Sequence, residues 1–170
     1  MITLKNILVA TDFSEPSEAA LLYGKNFARQ HGATLHVLHV VDDAMAHAMT
    51  PIGIAPDIGA VQMELEADAE RRLGDIVDDE DRVRLHARTA IRTSSRPASA
   101  ILNYAKDEEI DLIIVGTHGR TGLAHFFLGS VAQQLVRSAP CPVLTVRHPE
   151  REFAVADALQ VVNQTALRSA

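Results

Sequence analysis

Short apolar runs of strand length alternate along this chain with longer segments of helical period, and this alternation restricts the possible folds more than any other feature. Five runs read as strands: NILVA (6–10), TLHVLHVV (34–41), RVRLHARTAI (82–91), DLIIV (111–115) and PVLTV (142–146). Helical patterns over 15–31, 61–77, 97–105 and 131–139 separate them. Strands joined by helices pair in parallel through right-handed crossovers, so we expect an α/β fold: an open sheet with helices on both faces.

The carboxyl ends of these strands are the first place to look for a site. In open α/β sheets, ligands bind beyond those ends, where the strand order changes direction. Asp12 follows the first strand, Val41 and Asp42 end and follow the second, and a glycine-rich segment follows the fourth. Residues 42–60 hold two prolines and two glycines without a clear period, and we expect a flexible insert there.

The glycine-rich segment, GTHGRTGLAHFFLGS, directly follows DLIIV and holds four of the nine glycines in the chain. Gly116 and Gly119 predict a sharp turn off the fourth strand, with backbone N–H groups that can approach a ligand closely. The alternative interpretation is that these glycines only end a strand.

The end of the same segment predicts an anion site. Gly129 and Ser130 open a helix, and the unpaired N–H groups and positive dipole end of a helix attract an anion. A polyphosphate suits this arrangement, with Ser130 as a hydroxyl donor and Arg120 as a counter-charge. The alternative is that Ser130 only caps the helix, and spacing alone favours neither interpretation.

Several functional classes are disfavoured. No lysine follows the glycines as in G-x-x-x-x-G-K-[ST], and no G-x-G-x-x-G follows the first strand, which argues against a P-loop ATPase and a dinucleotide-binding dehydrogenase. The net charge of −6 argues against nucleic-acid binding. The apolar runs are far shorter than the roughly 20 residues of a membrane span, and the first residues do not resemble a signal peptide. The single cysteine, Cys141, fits a reducing compartment, so we expect a cytoplasmic protein in which Cys141 is a small apolar residue.

The glycine spacing resembles that of the universal stress protein family, whose ATP-binding branch carries G-x2-G-x9-G-[ST]. Gly116, Gly119, Gly129 and Ser130 match every fixed position. NILVATDFS, LHVLHVVD, DLIIVGTHGRTG and APCPVLTVR are also similar to the family, so the resemblance covers about residues 2–148. It implies a Rossmann-like sheet of five parallel strands in the order 3-2-1-4-5, formed by a domain over 1–148 and followed by a tail over 149–170.

The resemblance also implies two groups of ligand contacts. The side chain of Asp12 and the backbone of Val41 hold the adenosine part of ATP. The phosphates, bridged by Mg²⁺ or Mn²⁺, are held by Gly116, Gly119, Gly129, Ser130 and the N–H of Val131. Asp12 as a helix cap and Val41 as a core residue are the alternatives.

Three functions remain open. The first is a stress-response regulator in which ATP occupancy changes what the protein binds, through an unidentified protein partner. The second is a slow ATPase or nucleotide phosphotransferase that uses the same pocket, and the third is an interaction module without nucleotide. The motif favours the first two, and the absence of a phosphate-binding lysine and of an evident general base favours binding over turnover. Cyclic AMP is an alternative ligand, and we name no catalytic residue and no protein ligand to a metal.

The fifth strand, CPVLTV, would be an edge strand in the implied order, and an uncovered apolar edge promotes aggregation. The resemblance implies a homodimer in which two fifth strands pair antiparallel about a two-fold axis. The alternative is that the tail covers the edge. Residues 149–170 carry a helical stripe of Val155, Leu159, Val162 and Ala166, so we expect a dimer with the tail packed near its edge, against the alternative of a disordered tail.

Overall fold

The computed structural model of the chain describes residues 3–47, 57–117 and 129–147. Within these ranges five strands form one sheet: β1 (Asn6–Thr11), β2 (Thr34–Val41), β3 (Arg88–Thr93), β4 (Leu112–Gly116) and β5 (Val143–Val146). The connecting helices are α1 (Glu15–His31), α2 (Ala44–His47), α3 (Ile58–Ile76), α4 (Asp79–Arg84), α5 (Pro97–Asp107) and α6 (Ser130–Ser138). All strand pairs are parallel and the order is β3-β2-β1-β4-β5, which confirms the predicted fold class and strand order.

The sheet separates two apolar cores. On the face covered by α1 and α3, called here the α1/α3 face, Ile7 and Val9 of β1 pack in one cluster with Leu73 of α3. On the opposite face, covered by α5 and α6, Leu8 of β1 packs in a second cluster with Leu135 of α6. Successive residues of β1 therefore serve opposite cores, as the pleat of a strand requires. Burial on both sides explains why the central strands are almost continuously apolar.

The first helix begins where the sequence predicted, with Ser14 at its N-cap and Pro16 in its first turn. The hydroxyl of Ser14 does not cap the helix, and donates instead to Asp12. A stripe that includes Leu21 and Gly24 faces the core, and a Cβ at Gly24 would overlap Cγ2 of Val9. The absence of a side chain at Gly24 therefore lets α1 lie directly on β1.

One predicted strand begins later than the sequence pattern indicated. Residues 82–84 belong to α4, which starts because the carboxylate of Asp78 accepts the N–H of Asp81 at 2.8 Å. The alternating apolar residues of this stretch do not share one buried strand face. Val83 is exposed, while Leu85 is buried and its carbonyl accepts the N–H of Leu35 at 3.1 Å. The strand proper begins at Arg88.

The expected flexible insert over 42–60 is wrong at both ends. Residues 44–47 form α2, and α3 begins at Ile58, where the side chain of Asp57 accepts the N–H of Ala60 at 3.1 Å. Residues 48–56 and the tail over 149–170 lie outside the described residues. None of the described helices combines the length and the apolar composition needed to cross a bilayer.

Candidate functional site

A cavity of about 430 Å³ lies at the carboxyl ends of the central strands. The ends of β1, β2 and β4 form its floor, α3 lines it on one side of the sheet, and the first turns of α5 and α6 line it on the other. This is the position at which parallel α/β sheets bind ligands, and the volume is within the range of small-molecule sites.

The structure brings most of the sequence-predicted site residues to this one cavity. Its described lining includes Asp12, Val41, Gly116, Gly129, Ser130 and Val131. Gly119 and Arg120, the two other predicted residues, lie outside the described residues. Residues more than a hundred positions apart in sequence therefore share a single lining because the first and fourth strands are neighbours.

Asp12 shapes the entry to α1. Its Oδ1 accepts the N–H of Ser14 at 3.1 Å and also the hydroxyl of Ser14. This is the local turn that aspartate favours before a helix, so the capping alternative is present in the structure. Asp12 also lines the cavity, where a carboxylate acts as a hydrogen-bond acceptor.

Val41 is both a core residue and part of the cavity lining. Its side chain is buried, and its carbonyl accepts the N–H of Ser94 at 2.9 Å. A carbonyl oxygen has two lone pairs, so this bond leaves one for a ligand.

Gly116 is a glycine because of packing. It is the last residue of β4, in register with Val146 of β5, so the sharp turn predicted at this position does not begin here. A Cβ at Gly116 would lie 2.8–2.9 Å from the backbone and side chain of Pro16. The first glycine of the motif therefore lets the start of α1 lie against the end of β4.

Gly129 and Ser130 form the beginning of α6, as the sequence predicted. Gly129 is the N-cap, its N–H donates to the carbonyl of Thr117 at 2.7 Å, and its carbonyl accepts the N–H of Gln133 at 2.9 Å. A helix leaves the N–H groups of its first turn without intrahelical partners, and glycine offers no side chain to cap them. The N–H groups of Ser130 and Val131 therefore form a positive end at the cavity wall.

A smaller cavity of about 250 Å³ adjoins the first. It shares Pro97, Ser130 and Val131 with the first cavity and extends to Gln134 of α6. Within the described part of the chain no three His, Cys, Asp or Glu side chains are grouped as metal ligands. A divalent cation at this site would therefore depend mainly on oxygens of the ligand and of water for its coordination.

Sequence reasoning missed one feature of the cavity, a stack of three side chains on its α3 side. The rings of Phe13 and His39 have centroids 4.4 Å apart, and the guanidinium of Arg72 lies 4.1 Å from the centroid of Phe13. All three line the cavity. The only sequence signal for Arg72 was its place one turn after the buried Ala69 on α3, which does not by itself distinguish a site residue from a surface arginine.

Comparison with known proteins finds related sequences among the universal stress proteins. A universal stress protein MJ0531 from Methanocaldococcus jannaschii is 31% identical over 148 residues, covering 87% of this chain and 85% of that protein. A universal stress protein from Thermus aquaticus, encoded in the QAH/OAS sulfhydrylase 3′ region, is 34% identical over 151 residues, covering 84% of this chain and 98% of that protein.

Solved structures of universal stress proteins share the fold of this chain. The structure of MJ0577, another universal stress protein of Methanocaldococcus jannaschii, matches with a TM-score of 0.72 at 28% identity, over 88% of this chain and 100% of that one. Two more distant universal stress proteins with TM-scores of 0.56 were solved in complex with dAMP and with cAMP, at 20% and 19% identity, and their likeness to this chain concerns the fold.

The family profile described as "Universal stress protein family" matches residues 3–147, a range that contains all the described helices and strands. The matched range contains every strand of the sheet and the entire lining of the cavity. The chain belongs to the universal stress protein family.

Proposed function

We propose that the cavity binds an adenine nucleotide, ATP in the first place, and that its occupancy regulates what the protein binds during stress. The observation that carries this proposal is the beginning of α6. Its first-turn N–H groups, at Ser130 and Val131, open onto a cavity of about 430 Å³ at the switch point of the sheet.

The other end of the cavity suits a nucleoside. Leu65 and Ala69 of α3 give it apolar walls that can receive a base, while Asp12 and the backbone of Val41 supply acceptors at the strand ends. A ribose hydroxyl or an exocyclic amino group can donate to these acceptors. Apolar walls with a few convergent polar groups are typical of cofactor sites.

The phosphates would then lie at α6. The N–H groups of Ser130 and Val131 and the hydroxyl of Ser130 act as donors, and the adjoining cavity of about 250 Å³ gives room for the outer phosphates. Mg²⁺ or Mn²⁺ would bridge phosphate oxygens, since the described residues offer no three-ligand cluster. Gly119 and Arg120 of the glycine segment complete this half of the site in the proposal.

Regulation is favoured over catalysis by the composition of the cavity. Its described lining includes no lysine, and phosphoryl transfer needs positive charge at the transferring group together with a positioned nucleophile. We therefore expect phosphate release far slower than the roughly 1–100 per second of typical kinases. Metal-dependent turnover in that range would assign the protein to the alternative, a nucleotide-hydrolysing or phosphotransfer enzyme.

Isothermal titration calorimetry with ATP, ADP, AMP and cyclic AMP, each with and without Mg²⁺, tests the ligand. We expect a Kd for ATP of roughly micromolar order, equivalent to about 8 kcal/mol, and weaker binding as phosphates are removed. Native mass spectrometry of protein purified from cells would identify a retained nucleotide directly. No heat and no thermal shift with millimolar ATP and Mg²⁺ would contradict the proposal.

The partner part of the proposal is a homodimer through β5. This strand is at the end of the strand order, beside β4, and Val143, Leu144 and Thr145 are only partly buried. The carbonyls of Pro142 and Val146 accept N–H groups of β4 and of the residue that follows it, at 3.0 and 2.8 Å. Alternation along a strand then directs the backbone groups of Val143 and Thr145 outward, where the β5 of a second copy can pair with them.

A further inference from the structure

Arg72 is a basic side chain of the cavity whose hydrogen-bond donors are uncommitted in the described part of the chain. Its neighbour Arg71 pairs with Asp68 at 2.8 Å. Arg72 has no carboxylate within ion-pair distance among the described residues, and its guanidinium lies over the ring of Phe13 at 4.1 Å. A half-buried arginine that stacks on a ring and keeps its donors available is suited to contact a ligand in the cavity that it lines.

The ring of Phe13 lies under this arginine and is itself held by its neighbours. Its φ of 61° is in the left-handed region, which is costly for a bulky residue and persists only where neighbours enforce it. Its N–H donates to Oγ1 of Thr11 at 3.0 Å. The ring of His39 packs against it, and Nδ1 of that histidine lies 2.8 Å from the carbonyl oxygen of Thr11. Phe13 and His39, which pack under Arg72, are therefore both hydrogen-bonded to Thr11 at the end of β1.

The topology decides which end of a nucleotide Arg72 would meet. α3, which carries Arg72, packs on the α1/α3 face through Leu73, whereas α6 packs on the opposite face through Leu135. The phosphate end of the proposed site is at the beginning of α6. Arg72 therefore lies on the opposite face of the sheet from the proposed phosphate contacts, beside Leu65 and Ala69 of α3, which form the proposed walls for the base.

We propose that Arg72, stacked on Phe13, is the base-recognition residue of this site, and that the open face of its guanidinium stacks on the purine ring. The inference rests on the proposed nucleotide binding and adds the contact that recognises the base. A planar, always-charged guanidinium stacks on aromatic bases, and its in-plane N–H groups remain able to donate to ring nitrogens or hydroxyls. The three-layer order would be base, Arg72, Phe13.

The test compares Arg72→Ala with Arg71→Ala. Arg71 is the preceding residue and its side chain does not line the cavity, so its replacement removes the same charge outside the site. Calorimetry with AMP, ADP and ATP should show that Arg72→Ala weakens all three by the same factor, about tenfold, because they share the base. Arg71→Ala should bind them like the wild type. A loss that grows with the number of phosphates, or an equal loss in Arg71→Ala, overturns the inference.

Arg72→Lys separates stacking from charge. Lysine keeps the positive charge but has no planar group, so we expect it to recover little of the affinity lost in Arg72→Ala. Full recovery by lysine would contradict the stacking role. Circular dichroism confirms that each variant is folded before titration. If the wild type binds no nucleotide, the proposed function and this inference both fail, whereas wild-type binding that Arg72→Ala leaves unchanged overturns this inference alone.

Discussion

Gly116 and Pro16 are as close as their backbones allow: a Cβ on Gly116 would lie 2.8 Å from the carbonyl carbon of Pro16 and 2.9 Å from its Cβ and its carbonyl oxygen. One residue ends β4 and the other lies in the first turn of α1. The contact fixes the start of α1 beside the strand that leads to the glycine segment. The first glycine of the motif thus has a structural reason that does not involve a ligand.

Gly116→Ala should therefore destabilise the protein. Because the added methyl meets backbone atoms of Pro16, which cannot rotate away, we expect a cost of about 1–3 kcal/mol in the free energy of unfolding. Gly74→Ala is the matched control: it lies in α3, where an added Cβ would have nothing within 4 Å, and it should be neutral or stabilising by up to about 1 kcal/mol. Urea denaturation, monitored by circular dichroism, measures the stability of both variants. A Gly116→Ala protein as stable as the Gly74→Ala protein would refute the packing role of Gly116.

Gly129→Val should abolish ATP binding and leave the fold intact. Gly129 has φ −55° and ψ 149°, a conformation open to residues other than glycine, so the backbone tolerates valine while its branched side chain occupies the approach to the first turn of α6. Ser130→Ala should weaken binding by about 1 kcal/mol through loss of one hydrogen bond. Ser138→Ala, at the far end of α6, is the control for both. Normal ATP affinity in a folded Gly129→Val protein would disprove the assigned site.

His36 should make stability depend on pH. Burial lowers the pKa of this histidine from 6.5, the charge of Arg88 lowers it further, and Glu108 opposes them; Nδ1 of the ring bonds the hydroxyl of Tyr104 at 2.9 Å. The unfolded chain therefore binds the proton more readily than the folded one. Stability that is fully present above pH 6.5 should decrease as the pH falls from 6.5 toward the lower folded pKa.

Denaturation of wild type and His36→Gln at several pH values between about 7 and 5 tests this titration. The free energy of unfolding of His36→Gln should change less over this pH range than that of the wild type, because glutamine does not titrate. His31→Gln, an exposed site at the end of α1, controls for loss of a histidine. Parallel pH profiles for wild type and His36→Gln would exclude the buried titration.

Cys141 should react slowly. Burial raises the pKa of its thiol, which lowers the thiolate fraction at neutral pH, and the side chain is only partly accessible. The rate with Ellman's reagent at neutral pH should be well below that of the same protein unfolded in urea. Equal rates in the two states would indicate that the thiol is freely exposed.

Thr145→Pro should convert the proposed dimer to a monomer. Proline removes an N–H that alternation directs away from β4, so the sheet remains while the edge can no longer pair fully with a second β5. Thr145→Val keeps the N–H and should remain dimeric. Light scattering separates the cases, and a monomeric wild type would rule out the dimer.

A chain truncated after His148 tests the predicted packing of the tail. If residues 149–170 pack near the dimer edge, their removal should lower stability or weaken the dimer. Unchanged stability and an unchanged oligomeric state would support a tail without packing contacts.

The sequence predicted the sheet well because its signals are local. The runs that became β1, β2 and β4 are buried on both faces, and such strands are continuous apolar segments that can be recognised without knowledge of their partners. The stretch before β3 misled because a half-exposed helix and a strand end produced the same period-two alternation through Val83, Leu85 and Ala87. The sequence analysis did not use Asp78, whose carboxylate caps the first turn of α4.

For the candidate site, the sequence indicated several residues that line the cavity, but it did not indicate the packing contacts that explain them. Residues that end a strand or start a helix could be named, since those ends are visible in the pattern. The role of Gly116 depends on Pro16 and the position of Arg72 depends on Phe13, and both contacts join segments far apart in the chain. Spacing along the sequence carries no information on such contacts until the helices are packed.

The hydrogen bond from the N–H of Gly129 to the carbonyl of Thr117 closes the base of the segment that joins β4 to α6. Because Gly129 is the N-cap of α6 and Thr117 directly follows β4, this bond ties the beginning of the helix to the end of the strand. The first-turn N–H groups of Ser130 and Val131 are thereby held beside the end of β4, at the edge of the cavity. The proposed phosphate contacts at Ser130 and Val131 would thus depend on a backbone bond between two residues that come directly before α6 and directly after β4, and a change at either residue would move the beginning of the helix.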